Sequence, residues 1–198
     1  MRGGPAGSGG RRAITEVEPP GFRFRPLTRD DFSLLATWLG APHVRRWWRE
    51  DPDPAAIEAR YGPGVDGTDP GEAFVVEWDG QPIGLIQRYR FDDNPAWRES
   101  LRETGTPSDA AGIDYLIGEE RWVGGGLGPA LLGQFLTDTW IRYPDIAAVV
   151  VNIDQANRRS WRAVEKLGFQ RAWSGEIESD DPSDAGTNHL YVLFRPEP

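Results

Sequence analysis

The sequence predicts a mixed α/β fold with a central sheet. Segments of alternating or β-branched apolar residues, which are typical of strands, are interspersed with segments whose apolar residues recur at helical spacing. A hairpin signal joins two of the strands directly at Asp79–Gly80. The chain has 198 residues, which is long enough to bury a core without disulfides or metals. We therefore expect one domain over residues 22–198.

The first 21 residues differ in composition from the rest. They are rich in Gly and Pro and nearly free of large apolar residues, so a disordered tail is predicted over 1–21. Arg11 and Arg12 are not followed by an apolar stretch of signal-peptide length, and no later segment approaches the length of a membrane span. A cytoplasmic protein without a membrane partner is the expectation.

The regular pattern begins with a strand and two helices. FRFRPL, from Phe22, alternates apolar and basic residues as a half-buried strand does. TRDDFSLLATWLG follows, with Thr28 as a capping residue and Gly40 as a stop signal. A more polar helix is predicted over 54–61.

A hairpin and a long connection come next. The apolar runs on either side of Asp79–Gly80 predict two antiparallel strands. Residues 92–111 lean toward acidic and turn residues and predict a loop, which at that length is often functional. GIDYLIG, residues 112–118, then predicts a short strand.

The C-terminal half alternates helices and strands. Apolar residues at helical spacing predict a helix from Leu127 to about Tyr143. IAAVVVNI, residues 146–153, predicts a strand buried on both faces. A helix capped by Asn157 and stopped by Gly168 precedes two closing strands, 169–174 and 189–195.

Composition excludes several kinds of function. Without cysteine the chain has no thiolate metal site and no cysteine nucleophile, and its two histidines form no HxxxH pattern, so no metal is expected. The net charge of −9 argues against a nucleic-acid partner, because nothing would neutralise the phosphates. It is compatible with a cationic substrate and equally with a surface that is acidic for solubility. The sequence does not distinguish a monomer from a homodimer.

The glycine stretch RWVGGGLGPALL, residues 121–132, is the main functional signal. A strand that leads through glycines into a helix exposes several backbone N–H groups at the helix N-terminus, and these suit a pyrophosphate. A nucleotide P-loop would need Lys–Ser/Thr after the glycines, and a dinucleotide fold would place them after the first strand. Neither condition is met. Taken alone, the pattern also fits a turn that binds nothing.

Placed after the fourth strand and followed by N157-x8-K166-L-G168-F169, this stretch resembles the signature of the GNAT family of acyl-CoA-dependent N-acetyltransferases. The resemblance implies a central mixed, mostly antiparallel sheet flanked by helices. It also implies acetyl-CoA as co-substrate, with its pyrophosphate surrounded by backbone amides. The cofactor-binding residues expected from the resemblance are Val123, Gly124, Gly125, Gly126, Leu127, Gly128, Asn157, Ser160, Leu116 and Ile117.

Four blocks look more specifically like those of the aminoglycoside 6′-N-acetyltransferases. They are WLGAPHVRRWW, WDGQPIGLIQRY, GIDYLIGEERWVGGGLGPALL and DQANRRSWRAVEKLGF, in order along residues 22–195. The resemblance implies acetyl transfer to the 6′-amine of an aminoglycoside by direct attack in a ternary complex, and a role in antibiotic resistance. The siderophore acyltransferases that modify a hydroxylated lysine amine share the general plan and are the nearest alternative.

Asp114 is the predicted proton acceptor or amine-orienting carboxylate, because the matching family position is an active-site aspartate. A carboxylate at a strand edge facing water is the alternative interpretation. Backbone N–H groups of Leu116 or Ile117 are the predicted oxyanion donors.

The acceptor side of the site is predicted from aromatic and polar residues, because carboxylates and aromatic faces suit polycations with sugar rings. Either Asn152 or Asp154 is expected to contact the substrate, and which of them does so stays open. The full predicted set is Trp47, Trp48, Tyr61, Gln87, Tyr89, Trp97, Glu99, Asp114, Asn152 and Asp154.

One position departs from the family pattern. Many relatives carry a tyrosine seven residues after the Asn, thought to protonate the leaving thiolate, but here that position is Val164. The role is then vacant, or passes to water, Ser160 or another tyrosine such as Tyr115. The same departure motivates a third hypothesis, a non-catalytic module that binds acyl-CoA or sequesters a drug.

Overall fold

A seven-stranded sheet runs through the part of the chain that the structure, a computed structural model, describes, residues 21–196. The predicted tail over 1–21 lies outside these residues except for Gly21. The strands are β1 (Phe22–Pro26), β2 (Glu72–Trp78), β3 (Gln81–Arg90), β4 (Ala110–Ile117), β5 (Ala148–Asp154), β6 (Gln170–Glu176) and β7 (Thr187–Phe194). Their spatial order is β1-β2-β3-β4-β5-β7-β6. Only β4 and β5 pair in parallel, so the prediction of a mixed, mostly antiparallel sheet is confirmed.

Helices cover both faces of this sheet. They are α1 (Phe32–Gly40), α2 (Pro42–Arg45), α3 (Pro54–Val65), α4 (Pro95–Ser100), α5 (Leu127–Arg142) and α6 (Arg158–Glu165). One face carries α5 and α6, whose Leu131, Phe135 and Val164 pack on β-strand residues such as Ile83 and Val149. The opposite face carries α1 to α3. Burial of these two apolar layers provides the main stabilisation of the fold.

Local sequence signals explain most element boundaries. Asp79 and Gly80 both have positive φ, +50° and +69°, as the tight turn between β2 and β3 requires. The side chain of Asn157 accepts a hydrogen bond from the N–H of Ser160 at 3.3 Å and caps α6. Gly168 ends the turn after α6 with φ +91°. These signals act over a few residues, which is why the sequence revealed them.

The structure corrects the prediction of a loop over residues 92–111. This segment contains α4 and a 3₁₀ turn at Arg102–Thr104, and β4 already begins at Ala110. Pro95 starts α4, and Leu101 directly after it is 1% exposed against Phe91. A helix of six residues with one apolar anchor has no periodicity to detect. The short helix α2 was missed for the same reason, and α3 extends to Val65 instead of ending near Tyr61.

Candidate active site

A gap between β4 and β5 forms the centre of the site. The two strands pair only from Ala110 and Ala148 to Gly112 and Val150, and beyond these residues no pairing continues although both strands do. A cavity of about 490 Å³ lies at this gap. Its lining includes Asp114 and Tyr115, which as neighbours in a strand point to opposite faces of the sheet. The cavity is therefore accessible to groups from both faces.

Asp114 lies in the gap on the same face as Gln87, its partner in the β3–β4 ladder. The Nε2 atom of Gln87 donates a hydrogen bond to Asp114 Oδ2 at 3.3 Å. Burial first and the charge of Asp184 second raise the pKa of Asp114 to about 7, although the Gln87 hydrogen bond opposes the shift. A carboxyl group with this pKa can accept a proton near neutral pH.

The acidic partners of Asp114 come from a turn between β6 and β7 that the sequence analysis did not single out. Asp181 and Asp184 both line the cavity, and burial raises the pKa of Asp184. Hydrogen bonds from Ser179 Oγ and Asn152 Nδ2, each 2.6 Å long, hold the Asp184 carboxylate. No local sequence signal marks these residues: the pairing of β7 with β5 brings the residues just before β7 next to the end of β5.

The structure gives Asn152 and Asp154 different surroundings. Asp154 accepts hydrogen bonds from Arg49 Nη2 at 2.9 Å and from the N–H of Ala156 at 2.8 Å, so its carboxylate is already neutralised and shapes a turn. Asn152 donates to Asp184, and within the described residues no donor reaches its buried Oδ1 atom. Of the two, Asn152 has the acceptor atom without a hydrogen-bond partner among residues 21–196.

Arg49 connects the two loops at the acceptor end of the cavity. Besides Asp154, its guanidinium donates to the carbonyl of Ala185 at 2.6 Å, and its backbone N–H donates to Ser183 Oγ at 3.0 Å. Arg60 lines the cavity, and its Nη2 atom lies 3.6 Å from Asp181 Oδ2. The segment before α3 is thus linked to the turn before β7.

Most of the predicted acceptor residues line this one cavity. Tyr89 lies across Gly112, where a Cβ atom would be 2.3 Å from the tyrosine ring, so the glycine makes room for it. Glu99 is not part of the lining; its carboxylate accepts from Arg102 Nε at 3.1 Å and its side chain is 60% exposed. The prediction for Glu99 is corrected on this ground. The predicted residues that do line the cavity are Trp47, Trp48, Tyr61, Gln87, Tyr89, Trp97, Asp114, Asn152 and Asp154.

The glycine stretch follows β4 and forms the start of α5. Gly124 and Gly126 have φ of +85° and +82°, a conformation that a residue with Cβ adopts only at a cost. Across residues 21–196, no carbonyl accepts from the N–H groups of Gly124 to Gly128. Pro129, in the first turn of α5, has no N–H. Five free backbone donors at the positive end of a sixteen-residue helix fit a pyrophosphate.

The start of α6 lies beside this turn. A Cβ atom on Gly128 would be 3.7 Å from the Cβ atom of Ala163, so the first turn of α5 packs on α6. Asn157 and Ser160, at the start of α6, line the cavity. Val164, in contrast, is fully buried in the α5–α6 layer.

The β3–β4 ladder decides which backbone N–H groups face the gap. The N–H of Gly118 donates to Ile83 O and the N–H of Phe91 donates to Ala110 O, so even-numbered residues of β4 pair with β3. Leu116 therefore directs its N–H away from the gap, which corrects its assignment as an oxyanion donor. Ile117, the other predicted donor, directs its N–H to the gap side.

The titratable residues give no sign of a metal centre. Among residues 21–196, no three His, Cys, Asp or Glu side chains come together as a metal site would require. In the same part of the chain, no helix combines the length and apolar character needed to cross a membrane.

The chain is similar to a known protein family and to individual known proteins. A family model described as an acetyltransferase (GNAT) domain matches residues 28–177. Aminoglycoside N(6′)-acetyltransferase type 1 of Klebsiella pneumoniae is 28% identical over 161 residues, which are 79% of this chain and 77% of the relative. Lysine N-acyltransferase MbtK of Mycobacterium tuberculosis is 25% identical over 187 residues, 94% of this chain and 83% of the relative.

Solved structures show the same fold. The structure of AAC(6′)-Ib in complex with paromomycin and acetyl-CoA superposes with a TM-score of 0.73 at 26% identity, covering 88% of this chain and 94% of that one. The complex of AAC(6′)-Ib with coenzyme A and kanamycin gives the same TM-score and identity, covering 88% and 95%.

Proposed function

Because the chain belongs to the GNAT acetyltransferase family, we propose that it transfers the acetyl group of acetyl-CoA to the 6′-amine of aminoglycosides, and so confers resistance to them. The observation that carries this proposal is the position of Asp114, partly buried in the β4–β5 gap and close enough to a second carboxylate, that of Asp184, to be affected by its charge. Such a pair provides both a proton acceptor and attraction for a polycation.

Acetyl-CoA is the co-substrate of this acetyltransferase. In our proposal its pyrophosphate accepts from the free N–H groups of Gly124 to Gly128, and the dipole of α5 adds to their attraction. Asn157 contacts the pantetheine arm where α6 meets the gap. The N–H of Ile117 donates to the thioester oxygen as it becomes an oxyanion.

Asp114 acts as the base. An attacking amine must lose a proton, and a carboxylate whose pKa is about 7 accepts it far better than an exposed aspartate would. The chain has no cysteine that could carry an acyl intermediate, so the amine attacks the thioester directly. Holding the two substrates on either side of one gap makes this attack effectively unimolecular.

The acceptor is held by charge and by ring faces. Asp114, Asp181 and Asp184 give this end of the cavity a negative potential, which favours ammonium groups. The free Oδ1 atom of Asn152 accepts from an acceptor hydroxyl or ammonium. Trp47, Trp48 and Trp97 supply apolar surface for the sugar rings.

Arg60 supports a second candidate function, acylation of a lysine-type amine in siderophore biosynthesis. Its guanidinium lines the cavity beside Glu50 and Asp181, where it could also pair with the carboxylate of an amino-acid acceptor. The similarity to the lysine N-acyltransferase agrees with this reading. Such an enzyme would favour longer acyl chains, so a strict preference for acetyl-CoA counts against it.

The decisive experiment follows the release of free CoA with two kinds of acceptor. Kanamycin carries a 6′-amine and paromomycin carries a 6′-hydroxyl at the same place. We expect multiple turnovers with kanamycin and none with paromomycin, which would identify both the reaction and the acceptor nitrogen. If acetyl-CoA binds but no aminoglycoside in a broad panel is acetylated, the proposal is wrong. Lysine and hydroxylated lysine with acetyl- and longer acyl-CoA then test the second candidate.

A further inference from the structure

The leaving sulfur has no proton donor at the position where many relatives carry one, because Val164 is an aliphatic residue fully buried in the α5–α6 layer. We propose that Tyr115, positioned by Ser160, is the hydrogen-bond donor that stabilises the sulfur as it leaves the acetyl group. This inference rests on the proposed acetyl transfer and assigns a further residue to it.

The two hydroxyl groups meet at the gap. Tyr115 lies on β4, and its Oη atom is 2.9 Å from Ser160 Oγ in the first turn of α6. The N–H of Ser160 is in turn held by Asn157 Oδ1 at 3.3 Å, which fixes Ser160 to the helix cap. Tyr115, Asn157 and Ser160 all line the cavity, so the pair is accessible to a ligand in the gap.

Asp114 and Tyr115 approach the gap from opposite faces of the sheet, since adjacent strand residues alternate. An amine deprotonated by Asp114 therefore attacks from the α1–α3 side. In a tetrahedral intermediate the sulfur occupies a different corner from the entering nitrogen. The Tyr115 hydroxyl lies on the α5–α6 side, where the sulfur can depart without approaching the Asp114 carboxylate and its negative charge.

The protonation states match this role. Burial raises the pKa of the Tyr115 hydroxyl, so it stays neutral and keeps its proton through the working pH range. An alkyl thiol has a pKa of about 8.5, below even an ordinary phenol at about 10. Complete proton transfer from Tyr115 to the thiolate is therefore uphill, and the hydroxyl acts by donating a hydrogen bond.

With Tyr115 in this role, every bond and proton in the acetyl transfer is accounted for. The amine nitrogen forms a bond to the carbonyl carbon and gives its proton to Asp114. The carbon–sulfur bond breaks, and its electron pair stays on sulfur, which leaves as a thiolate hydrogen-bonded to Tyr115 Oη. Water protonates the thiolate on release, and Tyr115 keeps its own proton throughout.

The first readout needs no turnover. CoA labelled with ¹³C at the carbon next to sulfur is bound to the enzyme, and the pKa of its thiol is measured by NMR. A donor to the thiolate lowers that pKa. We expect the substitution Tyr115→Phe to raise the bound-thiol pKa by about one to two pH units relative to wild type, equivalent to roughly 10- to 100-fold in thiolate stabilisation.

The second readout is kinetic. Tyr115→Phe should lower kcat by roughly 10- to 100-fold and leave the KM for acetyl-CoA nearly unchanged. Ser160→Ala should give a smaller loss, because Tyr115 keeps its hydroxyl and loses only its orientation. Tyr191→Phe is the matched control: it removes a hydroxyl that also has one side-chain hydrogen-bond partner, Glu165 Oε1 at 2.9 Å, but lies away from the cavity, and both readouts should stay at wild-type values.

An unchanged thiol pKa in Tyr115→Phe overturns the inference, even if kcat falls, because the loss would then be structural. A larger effect of Ser160→Ala on the thiol pKa would also overturn it, by making Ser160 the donor. If wild type acetylates no amine, the proposed function fails, and the thiol pKa of bound CoA still decides the role of Tyr115.

Discussion

The two ends of the cavity are formed by different chemical groups. The donor end, formed by the glycine turn and the start of α6, offers backbone N–H groups whose positions follow from local chain geometry. The acceptor end consists of partly buried carboxylates and aromatic side chains from seven separate segments of the chain. The difference suggests that the donor end binds a constant ligand and the acceptor end determines which amine is accepted.

Stability also differs between the two ends. At the donor end, the first turn of a long helix needs no compensating side chains. At the acceptor end, burial opposes ionisation of Asp114 and Asp184, which is unfavourable for folding and useful for catalysis. Arg49 and Arg60 offset part of this cost by linking the loops that carry the acids.

The largest expected effect comes from removing the base. Asp114→Asn keeps the shape and can still accept from Gln87, but it cannot take a proton, so kcat/KM should fall by about 100- to 10,000-fold. Acetyl-CoA binding, measured by calorimetry, should be unchanged because the donor end is intact. A variant that retains more than a tenth of wild-type activity would show that another group is the base.

The pH profile of wild type provides a further check on the same residue. A base must be ionised to act, and the pKa of Asp114 is about 7. We therefore expect kcat/KM to fall tenfold per pH unit below about pH 7 and to level off above it. A profile that is flat from pH 5 to 8 would contradict the assignment.

At the donor end, Gly126→Ala should raise the KM for acetyl-CoA by roughly 10-fold, because its φ of +82° strains any residue with Cβ, at about 1–2 kcal/mol. The KM for the acceptor should change little. Gly105→Ala is the matched control, since Gly105 has φ +76°, open space around it and no place in the cavity lining. Equal loss of acetyl-CoA binding in both variants would mean that general destabilisation, not the turn, is responsible.

An effect no larger than that of Gly126→Ala is expected at the second carboxylate. Asp184→Asn should raise the KM for a polycationic acceptor by about 10-fold. It should also move the acid limb of the pH profile to lower pH, because the charge of Asp184 contributes to the raised pKa of Asp114. Asp180 is an exposed residue in the same turn, and Asp180→Asn makes the same charge change. It should change neither the KM for the acceptor nor the acid limb of the pH profile. If the acid limb of the Asp184→Asn profile stays at the wild-type pH, the charge of Asp184 does not contribute to the pKa of Asp114.

The sequence by itself determined the features that depend on a few neighbouring residues. The turn at Asp79–Gly80, the cap at Asn157 and the glycine-rich start of α5 each follow from backbone preferences that operate within one or two turns. The order of strands and long helices followed from apolar periodicity. Asp114 was singled out because the resemblance to the family places an active-site aspartate at its position.

Only the tertiary structure decided what surrounds those features. Strand pairing brings Asp184 next to Asn152 across 32 residues and directs the N–H of Leu116 to β3. The packing of helices and loops on the sheet brings Arg49 next to Asp154 across 105 residues, leaves Glu99 outside the cavity and joins Tyr115 to Ser160. These outcomes depend on which strands lie side by side and on which face each residue takes. Local conformational propensities contain no information about which distant segments lie side by side.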